Sequence, residues 1–257
     1  MNDDERATRV AEVIRKTAVL TLPGMDTIEV KTELPYGEGG TFDLYGAATG
    51  APAPTVVFVY GFPDPRFAQG LRNMGAYRSW GRLLAASHMN AIAYSYRDPV
   101  ADLATLLGYL RANASSLGID ASRMGLWAAS GNVPTALHLL MTQPPRAFRA
   151  AALLYGYMLE VPEAAAQFGI AAPARGRSID ELPPTLPLFI ARAGKDATPG
   201  LNASLDAFVA AALRRDLPVT LLNQAGAPHS FDLFEDSEAS RASIRTILRF
   251  LHEHLAQ

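Results

Sequence analysis

The chain contains no cysteine, which excludes disulfide bonds, thiolate nucleophiles and cysteine metal sites. It also lacks an excess of either charge: 23 Lys and Arg stand against 25 Asp and Glu in 257 residues. A formal net charge of −2 gives no reason to expect nucleic acid or an anionic membrane as a partner. No apolar run approaches the roughly 18 residues of a membrane span, and Met1–Lys16 lacks the apolar core of a signal peptide. We therefore expect a cytoplasmic protein.

Cofactor motifs are absent as well. Neither a P-loop nor a dinucleotide-binding glycine motif occurs, and the five histidines lack the spacing of metal ligands. His252 and His254 are separated by one residue, so on a helix they point to different faces. We expect no metal and no cofactor.

What the chain does have is apolar residues, 49% of the total, arranged in short runs. Thr55–Tyr60 is β-branched and aromatic throughout, which is typical of a strand buried on both faces of a parallel sheet. Five later runs alternate with helical patterns, and this alternation indicates crossover units. Ile28–Thr32 and Phe42–Tyr45 predict two earlier, antiparallel strands. The later predicted strands are Ala91–Ser95, Met124–Ala128, Ala150–Tyr155, Pro187–Ala193 and Val219–Asn223. The pattern predicts a single α/β domain over residues 1–257, with a doubly wound, mostly parallel eight-stranded sheet flanked by helices.

Two segments fall outside this alternation. Asp3–Val19 carries apolar residues at three-to-four spacing, which predicts an N-terminal helical extension within residues 1–20. Residues 156–184 separate two predicted strands, and an insertion of that length is commonly a lid.

The segment Arg123–Asn132 is the most informative motif. An apolar strand ends in small residues around Ser130, and the helical pattern Val133–Met141 follows, so the hydroxyl would stand at the apex of a sharp turn. Such a turn is strained and requires small residues two positions before and after the serine. Ala128 satisfies this requirement, whereas Asn132 stands where glycine is usual. Taken alone, the motif is equally consistent with a structural turn.

A serine nucleophile needs a base and an acid. Asp196 follows the predicted strand Pro187–Ala193, and His229 follows Val219–Asn223, which gives the chain order of a nucleophile-elbow hydrolase. A turn-forming Asp and a loop histidine are the alternatives. None of the other four histidines follows a late strand: His88, His138, His252 and His254. The joint order therefore favours a triad of Ser130, His229 and Asp196.

An acyl-transfer site also needs donors for the oxyanion. The amide of Gly131 directly follows the nucleophile. The second donor is expected from the loop after the third strand, where Gly61 allows close approach and Pro63 has no N–H, so Phe62 is the candidate.

These residues resemble those of the α/β-hydrolase-fold serine hydrolases, and among them the dienelactone-hydrolase-like and small carboxylesterase members. The resemblance covers residues 34–255. Leu34–Gly37 with Phe42–Tyr45 is similar to the entry hairpin of that family, Leu117–Trp127 to the approach to the elbow, and Ala227–Asp232 to the histidine loop.

The resemblance implies that Ser130 is the nucleophile, His229 the base and Asp196 the acid, with Phe62 and Gly131 as oxyanion donors. It implies hydrolysis of carboxylic esters or lactones of small substrates through an acyl-enzyme. The nucleophile is serine, whereas true dienelactone hydrolases use cysteine, which favours ordinary ester hydrolysis.

Two alternatives stay open. Tyr60 stands where the family has histidine, and this departure, with Asn132, favours a catalytically silent relative that only binds a ligand. A serine peptidase or acyltransferase would use the same machinery.

Arg66 and Arg72 could meet a substrate carboxylate, or lie on a solvated surface. The candidate substrate contacts, for which core packing is the alternative, are Tyr60, Tyr155, Tyr157, Met158 and Phe168. The expected partner is a small ester, and the chain would be a monomer or a homodimer.

Overall fold

The computed structural model describes residues 12, 14–47, 49, 52–59, 70–98, 100–144, 146–163, 165, 170 and 172–256. Within that part of the chain, eight strands form one sheet in the order β1-β2-β4-β3-β5-β6-β7-β8. The strands are β1 (Val30–Tyr36), β2 (Gly40–Tyr45), β3 (Ala53–Phe58), β4 (Asn90–Tyr94), β5 (Ile119–Ala129), β6 (Ala150–Leu154), β7 (Leu188–Ala193) and β8 (Val219–Gln224).

Only the first two strands break the parallel pattern, because β1 pairs with β2 and β2 with β4 in antiparallel register. From β4 to β8 every pairing is parallel. All six residues of β3 are buried, as its continuous apolar run predicts. The predicted doubly wound, mostly parallel eight-stranded sheet is therefore confirmed.

Helices flank the sheet and connect its strands. They are α1 (Gly75–Ala86), α2 (Ala101–Ala112), α3 (Ala114–Leu117), α4 (Val133–Thr142), α5 (Leu201–Arg214), α6 (Phe231–Phe234) and α7 (Glu238–Leu255). Trp127 of β5 contacts Trp80 of α1, and a Cβ on Gly125 would meet Leu255 of α7. Because alternate residues of a strand share a face, α1 and α7 cover the same face of the sheet. The described helices are not long and apolar enough to cross a lipid bilayer.

The N-terminal segment departs from its prediction. Glu12, Ile14 and Arg15 are helical, but Lys16–Leu20 is not, so the helix predicted over Asp3–Val19 ends earlier; residues 1–11 and 13 lie outside the described part. The reason is tertiary. The Ala18 amide donates to Ser79 Oγ of α1 and the Val19 amide to the Asp232 carbonyl of α6, both at 2.8 Å. Bonds to the domain replace the bonds that would continue the helix.

The insertion between β6 and β7 contains a short 3-10 helix, Ile179–Glu181. Ser178 caps it, and the Glu181 carboxylate accepts from the Ser178 amide in return. Ile170 of this segment lies near the nucleophile turn, since a Cβ on Gly131 would come within 3.2 Å of its Cγ1. A lid role for residues 156–184 stays a prediction.

Candidate active site

The turn after β5 holds Ser130 in a conformation that L-residues rarely adopt. Ala129 is extended, with φ −134°, Ser130 has φ 56°, and α4 begins at Val133. A serine in the left-handed region is strained, and the strand and helix on either side hold it there. The hydroxyl therefore stands at the carboxyl end of a central strand, where parallel sheets place their ligands.

Sequence reasoning missed Gly156, which makes room for this turn. It lies two residues after β6, and a Cβ there would come within 2.5 Å of the Ser130 carbonyl oxygen and within 2.3 Å of Val133 Cγ2. Neither backbone nor a β-branched side chain can yield that space cheaply. The only signal in the sequence was a glycine directly after a buried run.

The side chains of Ser130, His229 and Asp196 form one hydrogen-bonded chain. Ser130 Oγ lies 2.8 Å from His229 Nε2, and His229 Nδ1 lies 2.5 Å from Asp196 Oδ2. In the tautomer that suits both contacts, Nδ1–H donates to the carboxylate, and Nε2 accepts from the serine hydroxyl. The structure thus brings together three residues that the sequence separates by up to 99 positions.

The loops that carry His229 and Asp196 are tied to each other. The Lys195 amide donates to the Ala227 carbonyl at 2.9 Å, and a Cβ on Gly194 would come within 2.3 Å of the Ala225 carbonyl oxygen. The backbone of the two loops is therefore in direct contact, which fixes the distance between the carboxylate and the imidazole.

Asp196 sits in an environment that favours its anion. Its side chain is fully buried, whereas that of His229 is 31% exposed. Burial by itself raises the pKa of Asp196, but the hydrogen bond and charge of His229, together with the Thr198 amide 2.9 Å from Oδ1, outweigh burial. The net result is a pKa below the ordinary value.

A second carboxyl, Asp232, lies three residues after His229 and was not predicted. It is 1% exposed. Trp80 Nε1 donates to its Oδ2 at 2.8 Å, and the Tyr155 hydroxyl donates to its Oδ1 at 2.6 Å. With the bond from Val19 to its carbonyl, Asp232 joins the histidine loop to α1, to the end of β6 and to the N-terminal segment.

Tyr155 connects Asp232 to the imidazole. Its ring meets the His229 ring edge-on at 5.1 Å, and its backbone has φ 35°. Burial raises the pKa of Tyr155, and the nearby Asp232 carboxylate raises it further. Burial likewise raises the pKa of Asp232, against the lowering effects of its two donors and of His229.

Asn132 is accommodated without glycine. Its φ of −89° and ψ of −17° lie in the right-handed region, and its Nδ2 donates to the Tyr77 hydroxyl at 2.9 Å. The departure from the family pattern therefore serves a buried polar contact with α1 and leaves the turn intact.

A cavity of about 670 Å³ opens beside Ser130 and His229. Four aromatic side chains border it, and all four are buried: Tyr77, Trp80, Trp127 and Tyr155. Asp232 reaches it from inside, whereas Glu12 and Phe234 lie at its exposed edge. Its size falls in the range of small-molecule sites.

Of the predicted substrate contacts, the structure brings Tyr155 to this cavity and leaves two elsewhere. Met158 is fully buried in the main core, and its amide donates to Ser204 Oγ. Tyr157 packs in a separate cluster, where its hydroxyl donates to the Pro199 carbonyl. Met158 therefore does not reach this cavity, and that expectation is wrong. Burial and the nearby Asp196 carboxylate raise the pKa of Tyr157, and Ile170 packs in the same cluster, so Tyr157 as a substrate contact stays a prediction. Tyr60 and Phe168 lie outside the described residues.

The oxyanion donors remain predictions. Gly131 is buried beside the nucleophile, and Phe62 lies outside the described residues.

Of the two arginines, Arg66 also lies outside the described residues. Arg72 is neither solvated nor free to meet a substrate: it is 8% exposed and pairs with Asp43 at 2.5 Å and with Glu33 at 2.9 Å. Over the described ranges, no three His, Asp or Glu side chains come together as a metal-binding group.

The strand order, the strained turn at Ser130, and the loops after β7 and β8 that carry Asp196 and His229 define the α/β-hydrolase fold. Solved structures confirm that fold. The chain is similar to a variant of esterase rPPE (TM-score 0.74, 16% identity, 99% of this chain and 90% of that chain). It is also similar to brefeldin A esterase, a bacterial homologue of human hormone-sensitive lipase (0.70, 16%, 98% and 84%).

A third similar structure is Thermogutta terrifontis esterase 2 phosphonylated by sarin (TM-score 0.66, 20% identity, 91% of this chain and 98% of that chain). No protein-family model matches the chain, and no curated protein matches it in sequence. At these identities the similarity defines the fold alone. The dienelactone-hydrolase-like subtype therefore stays a prediction.

Proposed function

We propose that this protein is a serine hydrolase that cleaves carboxylic esters, or lactones, of small substrates through an acyl-enzyme. The observation that carries the proposal is the hydrogen-bonded chain from Ser130 through His229 to Asp196. Its order along the sequence and its position at the carboxyl ends of β5, β7 and β8 both support it. The esterases among the similar structures support the same class of reaction.

In the proposed reaction, Ser130 Oγ attacks the ester carbonyl while His229 Nε2 takes its proton. Asp196 holds the imidazole in the Nδ1–H tautomer and stabilises the imidazolium that forms. The amides of Gly131 and Phe62 are the proposed donors to the oxyanion. His229 returns the proton to the leaving alcohol, and the ester bond to that alcohol breaks.

Water then repeats the sequence against the acyl-enzyme. His229 takes a proton from the water as its oxygen attacks the acyl carbonyl, and returns it to Ser130 Oγ as the acid leaves. No residue changes its oxidation state, and the proposed cycle uses no cofactor. The substrate carbonyl would lie above Ser130, with one end of the ester in the cavity.

The direct test is Ser130→Ala. Because triad members act as a unit, we expect kcat for p-nitrophenyl acetate to fall about 10⁵–10⁶-fold. A fluorophosphonate should label the wild type at Ser130 and leave the variant unlabelled. Near-normal hydrolysis by Ser130→Ala would falsify the proposal. A wild type that neither labels nor hydrolyses esters would instead be a ligand-binding relative.

A peptidase or acyltransferase would share these groups. Assays of a peptide amide, and of an ester with added alcohol as acceptor, separate these activities from ester hydrolysis. Free acid as the dominant product from esters, with the peptide amide uncut, is the expected result.

A further inference from the structure

The two edge strands of the sheet differ in how they are protected. Within the described part of the chain, β1 lies at one edge and β8 at the other. β1 carries Lys31, Glu33 and Pro35, and its pairing with β2 shifts register between Lys31 and Leu34. Charge, proline and a bulge keep an edge strand from pairing with another chain. β8 (Val219–Gln224) contains no charged residue and no proline, and its pairing with β7 is regular.

Only one side of the β8 backbone is used by the sheet. The Pro218 carbonyl accepts from the Leu188 amide at 2.9 Å, and the Gln224 carbonyl accepts from the Gly194 amide at 2.8 Å. Backbone groups alternate in direction along a strand, so the even-numbered residues of β8 face β7. The odd-numbered residues turn their N–H and C=O groups to the open edge, where no partner for them lies among the described residues: Val219, Leu221 and Asn223.

The open edge also carries exposed apolar side chains. Leu213 near the end of α5 is 59% exposed and Leu221 in the middle of β8 is 46% exposed, more than any other large hydrophobic residue that the structure describes. Asn223 accepts a hydrogen bond from Arg192, which also pairs with Asp206 of α5. Since odd-numbered residues of β8 share one face, Leu221 lies on the same face of the sheet as α5 and Leu213.

We propose that the open edge of β8 binds a second copy of this chain, with the two β8 strands paired in antiparallel register. A two-fold axis perpendicular to the sheet makes the strands antiparallel. With the axis at Leu221, that residue lies opposite its own copy, and Val219 of each chain lies opposite Asn223 of the other. Every open N–H then meets an open C=O.

The edge suits its own copy because it is self-complementary. An isologous contact brings each residue near itself, so a charge close to the axis would meet a like charge. β8 has no charge to oppose itself, and the two Leu221 side chains would cover each other. A strand pair alone is small beside the roughly 1,600 Å² of a stable interface. We therefore expect α5 to extend the contact through Leu213.

Sedimentation velocity of the full chain tests the proposal. We expect the wild type to be a dimer, and Leu221→Lys to raise the dissociation constant at least about 10-fold, because two ammonium groups would meet at the axis. Ala104→Lys, at an exposed position of α2, adds the same charge elsewhere and should stay a dimer. A monomeric wild type, or a dimer that Leu221→Lys leaves intact, overturns the proposal.

A cross-linking experiment tests the register and does not depend on the lysine variant. Because the chain contains no cysteine, an introduced cysteine reports the contact alone. Leu221→Cys would lie opposite its copy with the Cα atoms about 5.5 Å apart, which a disulfide spans. Asn223→Cys, on the same face, would lie four residues from its copy, about 14 Å away along the strands, and is the control.

With diamide as oxidant, we expect Leu221→Cys to form a covalent dimer and Asn223→Cys to stay unlinked. Cross-linking of both variants to the same extent, or of neither, overturns the proposed pairing. The proposal goes beyond the proposed function and fails separately from it: a monomer that hydrolyses esters through Ser130 would remove only the dimer.

Discussion

Two buried carboxyls lie near the same imidazole, and the protein treats them in opposite ways. Asp196 faces His229 Nδ1, and its pKa is lowered because a group that can carry positive charge outweighs burial. Asp232 faces Trp80 Nε1 and the Tyr155 hydroxyl, and its pKa is raised because burial outweighs these two donors and the charge of His229. This contrast shows that the partners of a carboxyl, together with its burial, decide whether its pKa is lowered or raised.

The largest expected effect comes from Asp196→Asn. The amide cannot hold the Nδ1–H tautomer as a carboxylate does, so we expect kcat/KM for p-nitrophenyl acetate to fall about 10⁴-fold. Steady-state kinetics measures this loss, and thermal unfolding of the same sample verifies the fold. A loss of kcat/KM no greater than that of Asp232→Asn would contradict the different roles assigned to the two carboxyls.

A smaller effect is expected from Asp232→Asn. One amide oxygen replaces two acceptors, so a bond to Trp80 or Tyr155 is lost, and we expect kcat to fall about 10-fold through a misplaced His229. The groups near the imidazole are Ser130, Asp196, Tyr155 and Asp232. Removing the Asp232 charge removes an attraction for the imidazolium, so the acid limb of the kcat/KM profile should move to lower pH.

Tyr155→Phe is the matched control for that shift. It removes the hydroxyl bond to Asp232 but keeps the carboxylate, so kcat should fall while the acid limb does not move to lower pH. The electrostatic account of Asp232 is wrong if both variants shift the limb equally, or if neither variant does.

Gly156→Ala changes the turn that carries Ser130 and leaves both carboxyls in place. The new methyl group would overlap the Ser130 carbonyl and Val133, so we expect a loss of about 1–3 kcal/mol in the free energy of unfolding, together with reduced kcat. Denaturant unfolding measures the first and steady-state kinetics the second. Gly108→Ala, where a Cβ would have nothing within 4 Å, is the control and should not lower stability. Unchanged stability in Gly156→Ala would mean that the turn can relax.

The smallest expected effect is on the pH dependence of the free energy of unfolding, to which the two carboxyls should contribute with opposite slopes. The lowered pKa of Asp196 gives stability that is present above the unfolded pKa of about 3.9 and is lost as pH falls through the folded pKa. The raised pKa of Asp232 gives a contribution that is present below that unfolded value and is lost as pH rises through the folded pKa.

Unfolding free energies from pH 3 to pH 9 measure these slopes. Asp196→Asn should flatten the acid side of the curve, and Asp232→Asn should flatten the side above about pH 4. The same change of slope in both variants would contradict the opposite pKa directions.

Residue patterns alone were enough to predict the sheet and the three residues of the hydrogen-bonded chain. Apolar runs that alternate with helical patterns admit few arrangements, because a parallel sheet buries its strands on both faces. Ser130, Asp196 and His229 could be singled out because each follows a strand, and the carboxyl ends of parallel strands meet at one edge.

The surroundings of that hydrogen-bonded chain could not be predicted, because they depend on contacts that form on folding. Asp232, Trp80 and Tyr155 meet across as many as 152 positions, and no local pattern records such a contact. Contacts between elements that are distant in sequence also explain why Met158 lies in the core and why the N-terminal helix ends earlier than predicted. Periodicity reports which face of an element is buried, whereas a side chain's partner depends on elements that only folding brings together.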